Sequence, residues 1–351
     1  MSPLTVTLAL SLLAPAVHLA PAPAPRPSLA VSVDSTRHQV VLTISGVEIA
    51  APTAGAHHAE MHAAGGEFPL LRFRWPVNGW ARGASLTLAG PDGKSLPREI
   101  VHHINVVNFD RRQLFYPIAE RLLAMGQETE SIRLPATVGV PVSASMAMGV
   151  IGAFHNPGHT ALRGVVLTLR IDYSPANLVP RPISVLPAYL DVRDPVGNDV
   201  DFDLPAGRSR FSYDFVMPLT GRIIGAGGHL HNFGTGIELL DLGGPREKSV
   251  IRLGTALARD GSILKVERAL PGVSGKGIRL EGGRRYRVAG EYDNSSGQSI
   301  AHGAMVHLIL LFAPDREDGW PAVATADPGF KRDTDRLEEM GNAAAMHGMP
   351  D

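Results

Sequence analysis

The residues of this chain best suited to chemistry are its histidines. Fourteen occur among 351 residues, and cysteine is absent. A metal centre here must therefore be built from His, Met, Asp, Glu or backbone oxygen, and disulfides, zinc ribbons and thiol nucleophiles are excluded. His229 and His231 stand in Gly225-Ala226-Gly227-Gly228-His229-Leu230-His231, a stretch that reads as a strand. Residues i and i+2 of a strand project from one face, so two imidazoles there can grip one ion. The flanking glycines would let a ligand or backbone approach closely. The same spacing also suits an ordinary pair of surface histidines.

His102 and His103 are adjacent within the expected strand Arg98–Val106. Neighbours on a strand point to opposite faces, so both reach one ion only at a bulge or a strand end. The plain alternative is one buried and one exposed histidine. His155 precedes the turn Asn156-Pro157-Gly158, with His159 four residues on, and either could be a turn histidine without a ligand role. Met305 opens the apolar run Met305–Phe312, as a core methionine or as a soft thioether donor. His302 and His307 flank it. His307, two residues away, shares its face and is a possible substitute ligand. His57-His58-Ala59-Glu60-Met61-His62 reads as a solvated loop or a transient metal-capture segment, and Met346-His347-Gly348-Met349 as a tail with soft donors.

Other chemistries are not written here. Gly225-Ala226-Gly227 lacks the third glycine of a dinucleotide fingerprint, and no phosphate loop, zincin helix or G-x-S-x-G elbow occurs. Basic and acidic side chains balance, 33 against 34, which argues against holding nucleic acid by phosphate neutralisation.

The elements that must position these residues are short β-branched or alternating runs: Leu29–Val33, Gln39–Ile44, Leu70–Trp75, Ala84–Leu88, Val165–Tyr173, Arg210–Val216, Ile237–Leu242, Ile263–Arg268, Tyr286–Tyr292 and Met305–Phe312. Pro117–Met125 has apolar residues at helical spacing and is expected as one short helix. Many strands and hardly a helix predict an all-β protein, two antiparallel β-sandwich (jelly-roll-like) domains in tandem. Leu4–Ala14 followed by Ala14-Pro15-Ala16 has the form of an export signal, which predicts a periplasmic or extracellular protein. The expected organisation is a signal peptide over 1–16, a Pro-rich spacer over 17–28 and an N-terminal sandwich over 29–174. A linker over 175–187, a C-terminal sandwich over 188–315 and a polar, loosely ordered tail over 316–351 follow. No later segment is long and apolar enough for a membrane span in the mature chain.

Taken in order, the histidine motifs resemble those of the copper type II, ascorbate-dependent monooxygenases, the peptidylglycine α-hydroxylating and dopamine β-monooxygenase family. Val101-His102-His103 resembles the paired-histidine motif of that family, and Phe154-His155-Asn156-Pro157 its lone third histidine. Gly228-His229-Leu230-His231 resembles its H-x-H. Glu291-Tyr292-Asp293-Asn294 with Gly303-Ala304-Met305-Val306-His307-Leu308 resembles the segment ending in its methionine ligand.

The resemblance implies two copper ions. His102, His103 and His155 would hold one on the N-terminal domain. His229, His231 and Met305 would hold the other, catalytic one across a shared cleft. It also implies hydroxylation of a substrate with dioxygen and a one-electron reductant such as ascorbate. The sequence departs from the family in having no disulfides. Gly227 stands where the family has a substrate-anchoring arginine, and Ile309 where it has a tyrosine, so neither a small-molecule nor a peptide substrate can be read from it. A non-catalytic copper-binding or copper-transfer protein on the same fold, and a structural surface β-sandwich, are the alternatives.

Overall fold

The computed structural model describes residues 26–51, 66–127, 129, 131–156, 158–196, 200–272 and 276–346. The expected export signal, His57, His58, His62 and His347 lie outside the described residues. The chain is all-β apart from one C-terminal helix, built from largely antiparallel sheets in two successive sandwiches.

The N-terminal half runs β1 (Ser28–Asp34), β2 (Gln39–Ile49), β3 (Glu67–Arg74), β4 (Gly79–Ala89), β5 (Val101–Arg112) and β6 (Ala119–Gly126). It continues through β7 (Ser131–Arg133), β8 (Val138–Val142), β9 (Ala147–Phe154), β10 (Leu162–Pro175) and β11 (Ile183–Ser184). One sheet has the order β1-β2-β10-β4-β8-β11 with β7 on β4, and the other is β3-β9-β5-β6. Their inner faces meet over Leu42, Ile44, Trp75, Ile104, Val106, Val150, Phe154 and Leu169. β2 shows why the sequence folds this way. Val40, Leu42 and Ile44 alternate inward, and then Val47 and Ile49 do, one residue out of phase. The slip is absorbed at Gly46, which adopts φ +76°, and the pairing with β10 shifts there. Glycine permits that backbone without a Cβ penalty.

The C-terminal half comprises β12 (Leu186–Asp191), β13 (Phe202–Leu204), β14 (Gly207–Val216), β15 (Gly221–Leu230), β16 (Gly234–Asp241) and β17 (Lys248–Leu257). Then come β18 (Ile263–Val266), β19 (Ile278–Leu280), β20 (Arg285–Asn294), β21 (Ile300–Ala304) and β22 (Val306–Pro314). A sheet β12-β22-β15-β19 lies on a sheet β14-β20-β16-β17-β18, with the ribbon β13-β21 beside them. Leu308, Leu310 and Phe312 of β22 and Ile237, Leu239 and Val288 of the opposite sheet fill this second core.

Three elements differ from the sequence expectation. Pro117–Met125 is not a helix: Ala119–Gly126 is strand β6, paired along β5. Its apolar pattern is irregular because both faces are covered, Leu122 and Met125 by the sandwich core and Ala119 by Phe330 and Leu337. Those two residues belong to α1 (Pro328–Met346), which replaces part of the loosely ordered tail expected over 316–351. α1 lies on the outer face of β3-β9-β5-β6, fastened by Asp333, which is buried against Arg121 and the Ala119 amide. The stretch 175–187 is not simply linker, since β11 lies inside it, pairing in parallel with β8, and β12 begins at Leu186.

Candidate metal centres

The first histidine cluster is made by a bulge and a turn. β5 pairs with β9 as Val101↔Phe154 and then His103↔Ala153, so β5 carries one extra residue, His102. An inserted residue rotates the side chains around it out of strict alternation, and the rings of His102 and His103 lie 5.0 Å apart, inclined at 55°. His155 follows Phe154, the partner of Val101, and its amide donates to the Ile100 carbonyl at 2.8 Å. This brings its backbone beside the start of β5. The turn behind it is held by Asn156, 3% exposed, whose amide donates to the carbonyls of Ala50 and Thr160, each at 2.9 Å. The Asn156 carbonyl oxygen accepts from Gly158 at 3.0 Å. His159 is exposed on that turn.

The second cluster is made by two paired strands. β15 and β22 pair as His229↔His307 and Leu230↔Val306. Leu230, Val306 and Leu308 point into the core, so His229 and His307 share the opposite face. His231 follows directly after Leu230 and Met305 directly precedes Val306, at the end of the paired segment. The His229 and His231 rings are 5.5 Å apart and nearly perpendicular, at 84°.

Tyr292 on β20 fixes this junction. Its hydroxyl accepts from the Met305 amide at 3.0 Å and donates to the Met305 carbonyl at 2.5 Å. The His231 main chain hydrogen-bonds the same oxygen, and burial pushes the phenol well above its ordinary pKa. Beside them, His231 Nδ1 lies 3.3 Å from the His302 carbonyl. Donation there would leave any coordination of an ion to Nε2. His302 (φ 52°) and Phe233 (φ 66°) both adopt left-handed backbone, a strained state for residues with side chains that clusters at functional sites.

His307 is oriented too. Its Nδ1 meets Asp191 Oδ1 at 2.5 Å, and its ring lies 4.7 Å from that of Tyr189. The Tyr189 hydroxyl donates to the Arg121 carbonyl of β6, and Tyr116, also from the N-terminal half, hydrogen-bonds the Asp191 main chain. The face carrying the second cluster is thus turned toward the N-terminal half. From Arg121, β6 runs five residues to Gly126, the partner of His103, about 16 Å of strand.

Both imidazole pairs have ring separations near those of two ligands on one ion. With metal–nitrogen bonds of about 2.0–2.1 Å, two imidazoles at roughly tetrahedral angles have ring centroids about 5 Å apart. Among the described residues, however, no three His, Asp or Glu side chains converge as a closed cage. The third donor of each cluster, His155 or Met305, is placed by backbone and register. Tyr292, Asn156 and Asp191 were not legible as site residues in the sequence. Each acts through a partner far along the chain or through backbone, and the available signals were the Asn156-Pro157-Gly158 turn and the place of Tyr292 in Glu291-Tyr292-Asp293-Asn294. Beside Gly227, a Cβ would meet only the stem of Arg268, at 3.8 Å, whose guanidinium donates to the Ser131 carbonyl at 2.8 Å.

No protein-family model matches the chain, and no curated protein sequence matches it. Among solved structures it is similar to PNGF-II, at 9% identity and a TM-score of 0.39 over 76% of this chain, spanning 65% of that protein's length. It is also similar to PNGase F, a glycosylasparaginase from Flavobacterium meningosepticum, at 8% identity and a TM-score of 0.34 over 77% of this chain and 96% of that one. A third likeness is to broad bean stain virus, at 12% identity and a TM-score of 0.33 over 86% of this chain and 94% of that one. At these scores the all-β assignment rests on the sheets themselves, and no function transfers.

Proposed function

We propose that the chain is an exported copper protein of monooxygenase type, oxidising an unidentified substrate at the His229–His231–Met305 cluster. What supports this reading is that His229, His231 and Met305 come from two neighbouring segments tied together by the Tyr292 hydroxyl. Two imidazoles stand 5.5 Å apart, and the Met305 main chain is held by the Tyr292 hydroxyl that also bonds His231. Bound there, copper would supply one-electron chemistry toward dioxygen, with a donor such as ascorbate restoring Cu(I). His229 and His231 supply nitrogen donors that suit both oxidation states, and the Met305 thioether favours the reduced one. Tyr292 keeps the two segments in register, and the Nδ1 contact of His231 with the His302 carbonyl sets its tautomer. His102, His103 and His155 would hold a second copper as an electron store.

The test is a copper titration of the full mature chain with oxygen uptake followed under ascorbate. Two copper equivalents and ascorbate-dependent uptake, abolished by Met305→Ala, are expected. A chain that binds no copper, or binds it equally after loss of His229 and His231, overturns the reading. Export is tested separately, by mass spectrometry of the mature N-terminus, expected between about Val17 and Pro25.

A second reading is copper binding and transfer without turnover. It is favoured by the placement of the two clusters on different strand pairs, β5 with β9 and β15 with β22. Copper bound without oxygen uptake would select it.

A further inference from the structure

We infer that two copies of this chain pair through the open edge of β14, antiparallel and centred on Ser212. β14 is the outermost strand of β14-β20-β16-β17-β18 and, among the described residues, pairs with β20 alone. That pairing runs through all ten of its residues, from Gly207↔Asn294 to Val216↔Arg285, without a bulge. The main-chain bonds show which groups the edge presents. Asp293 and Arg285, opposite Arg208 and Val216, turn their main chains toward the two ends of β16, bonding Phe233 and Leu242. Hydrogen-bonded and non-bonded residues alternate along an antiparallel pair, so the even-numbered residues of β14 direct their amides and carbonyls away from β20. Arg208, Arg210, Ser212 and Val216 of that series are exposed. The strand holds neither proline nor bulge to blunt this row of donors and acceptors, the state in which an edge recruits another strand.

The residues along the edge identify that second strand. A two-fold axis normal to the sheet keeps the inner faces of both copies on one side and sets residues of like parity opposite each other. Centred on Ser212, it places Arg210 opposite Asp214 twice and Phe211 opposite Tyr213 twice. Centring on Tyr213 pairs no opposite charges, and centring on Phe211 leaves Arg210 opposite Ser212. The charged groups are disposed for the first register. Arg210 reaches Glu238 and Glu291 of its own sheet only at 3.4 and 3.7 Å, and both carboxylates are shared with Arg252. Asp214 accepts from Arg285 once and from Arg287 twice, and a carboxylate takes about four such bonds. Tyr213 is 41% exposed and Val216 54%, apolar surface that the pairing covers. The second copy's Tyr213 then stands beside Phe211, at a cavity of about 610 Å³ walled by Phe202 and Phe211. Opposite charges and aromatic pairs are the cross-strand contacts that stabilise a ladder, and the two-fold closes this one at two copies.

The experiment is sedimentation of the full chain over a range of concentrations, with a cross-linking arm. The chain has no cysteine, so Ser212→Cys introduces a single thiol. Residues opposite each other in a hydrogen-bonded pair have Cα atoms about 5.5 Å apart, within the span of a disulfide. A reversible monomer–dimer equilibrium is expected. Mild oxidation should trap Ser212→Cys as a covalent dimer and leave Arg208→Cys, also at an exposed position, as monomer. Ser212→Pro removes an amide that faces the open edge, so it should abolish the dimer while thermal unfolding of the chain is retained. If proline disturbs the fold, Arg210→Asp serves instead. It turns two opposite-charge pairs into like-charge pairs and should weaken the dimer about tenfold, less at high salt. A chain that stays monomeric and yields no Ser212→Cys dimer overturns the inference, and the edge then belongs to a different strand or to none. A dimer that survives both Ser212→Pro and Arg210→Asp overturns it as well, because another surface must carry it.

Discussion

The two histidine clusters are built by opposite devices. The first depends on irregularity: an extra residue in β5 turns His102 and His103 toward each other, and a loop held by Asn156 delivers His155. The second depends on a ladder: past an irregularity at Ile223/Gly225, β15 and β22 pair in register to Leu230↔Val306 and place His229 across from His307, and one buried phenol ties the Met305 and His231 backbones. A bulge-and-turn site is only as fixed as its loop, whereas a paired-strand site inherits the rigidity of its ladder. Damage to either device should therefore stay local, and that expectation can be broken.

The largest expected effect is on the sheet that carries the first cluster. Asp333 accepts from the Ala119 amide and both terminal nitrogens of Arg121, with 19% of the Arg121 side chain exposed. Asp333→Ala leaves that guanidinium buried without its carboxylate, a loss of about 3–5 kcal/mol. It should also loosen α1 from Val107 and Ile151. Denaturant unfolding should show the loss, and copper titration should show the first site weakened and the second unchanged. Equal weakening of both would mean that the halves do not act separately.

Next in size is the pair Asn156→Ala and Tyr292→Phe. Removing the Asn156 amide strands two carbonyls and the Gly158 amide, at about 1–3 kcal/mol, and should reduce only the copper held by His102, His103 and His155. Tyr292→Phe keeps the ring but removes the hydroxyl from the Met305 and His231 main chains, at about 1–2 kcal/mol. It should weaken Cu(I) at the second site and spare the first. A crossed result, with Tyr292→Phe emptying the first site, would end the comparison as drawn.

What the sequence could disclose follows the same division. Strands such as Val165–Tyr173 and Tyr286–Tyr292 were legible because one face is buried and the alternation survives in β10 and β20. The histidine spacings were legible because i and i+2 geometry is local. β6 was read as a helix because a strand covered on both faces loses its period. α1 was read as tail because its interior residues are few, Phe330 and Leu337 joined by the acidic Asp333, and the partner that makes Asp333 tolerable inside is more than 200 residues away. The carboxylate behind His307 was hidden for the same reason, 116 residues away at Asp191.

The smallest effect concerns acid, and it too should separate the halves. On the outer sheet of the C-terminal half, hydrogen bonds from Arg287, Arg284 and Arg252 hold Asp214, Asp241 and Glu291 below the ordinary carboxylate range. A depressed carboxylate contributes stability above its unfolded pKa and loses it as pH falls through the folded value. Each of these groups keeps part of its side chain in solvent, so screening keeps each contribution small, but all act in the same direction. The N-terminal half carries the opposite sign at Glu67 and Glu120, which burial holds above the ordinary range. A raised carboxylate costs stability when ionised, and that cost is relieved as pH falls. Asp34 and Asp92 in that half are depressed as well, but each by partners within its own turn, so their loss frees a loop and not a sheet. Between about pH 5 and pH 2, hydrogen exchange should therefore rise in β14, β16 and β20 before it rises in β2, β5 and β10. Raising the salt concentration should narrow the gap, since exposed pairs are screened. Simultaneous opening of the two halves, or earlier opening of the N-terminal sheets, would show that the arginine ladder does not set the acid response.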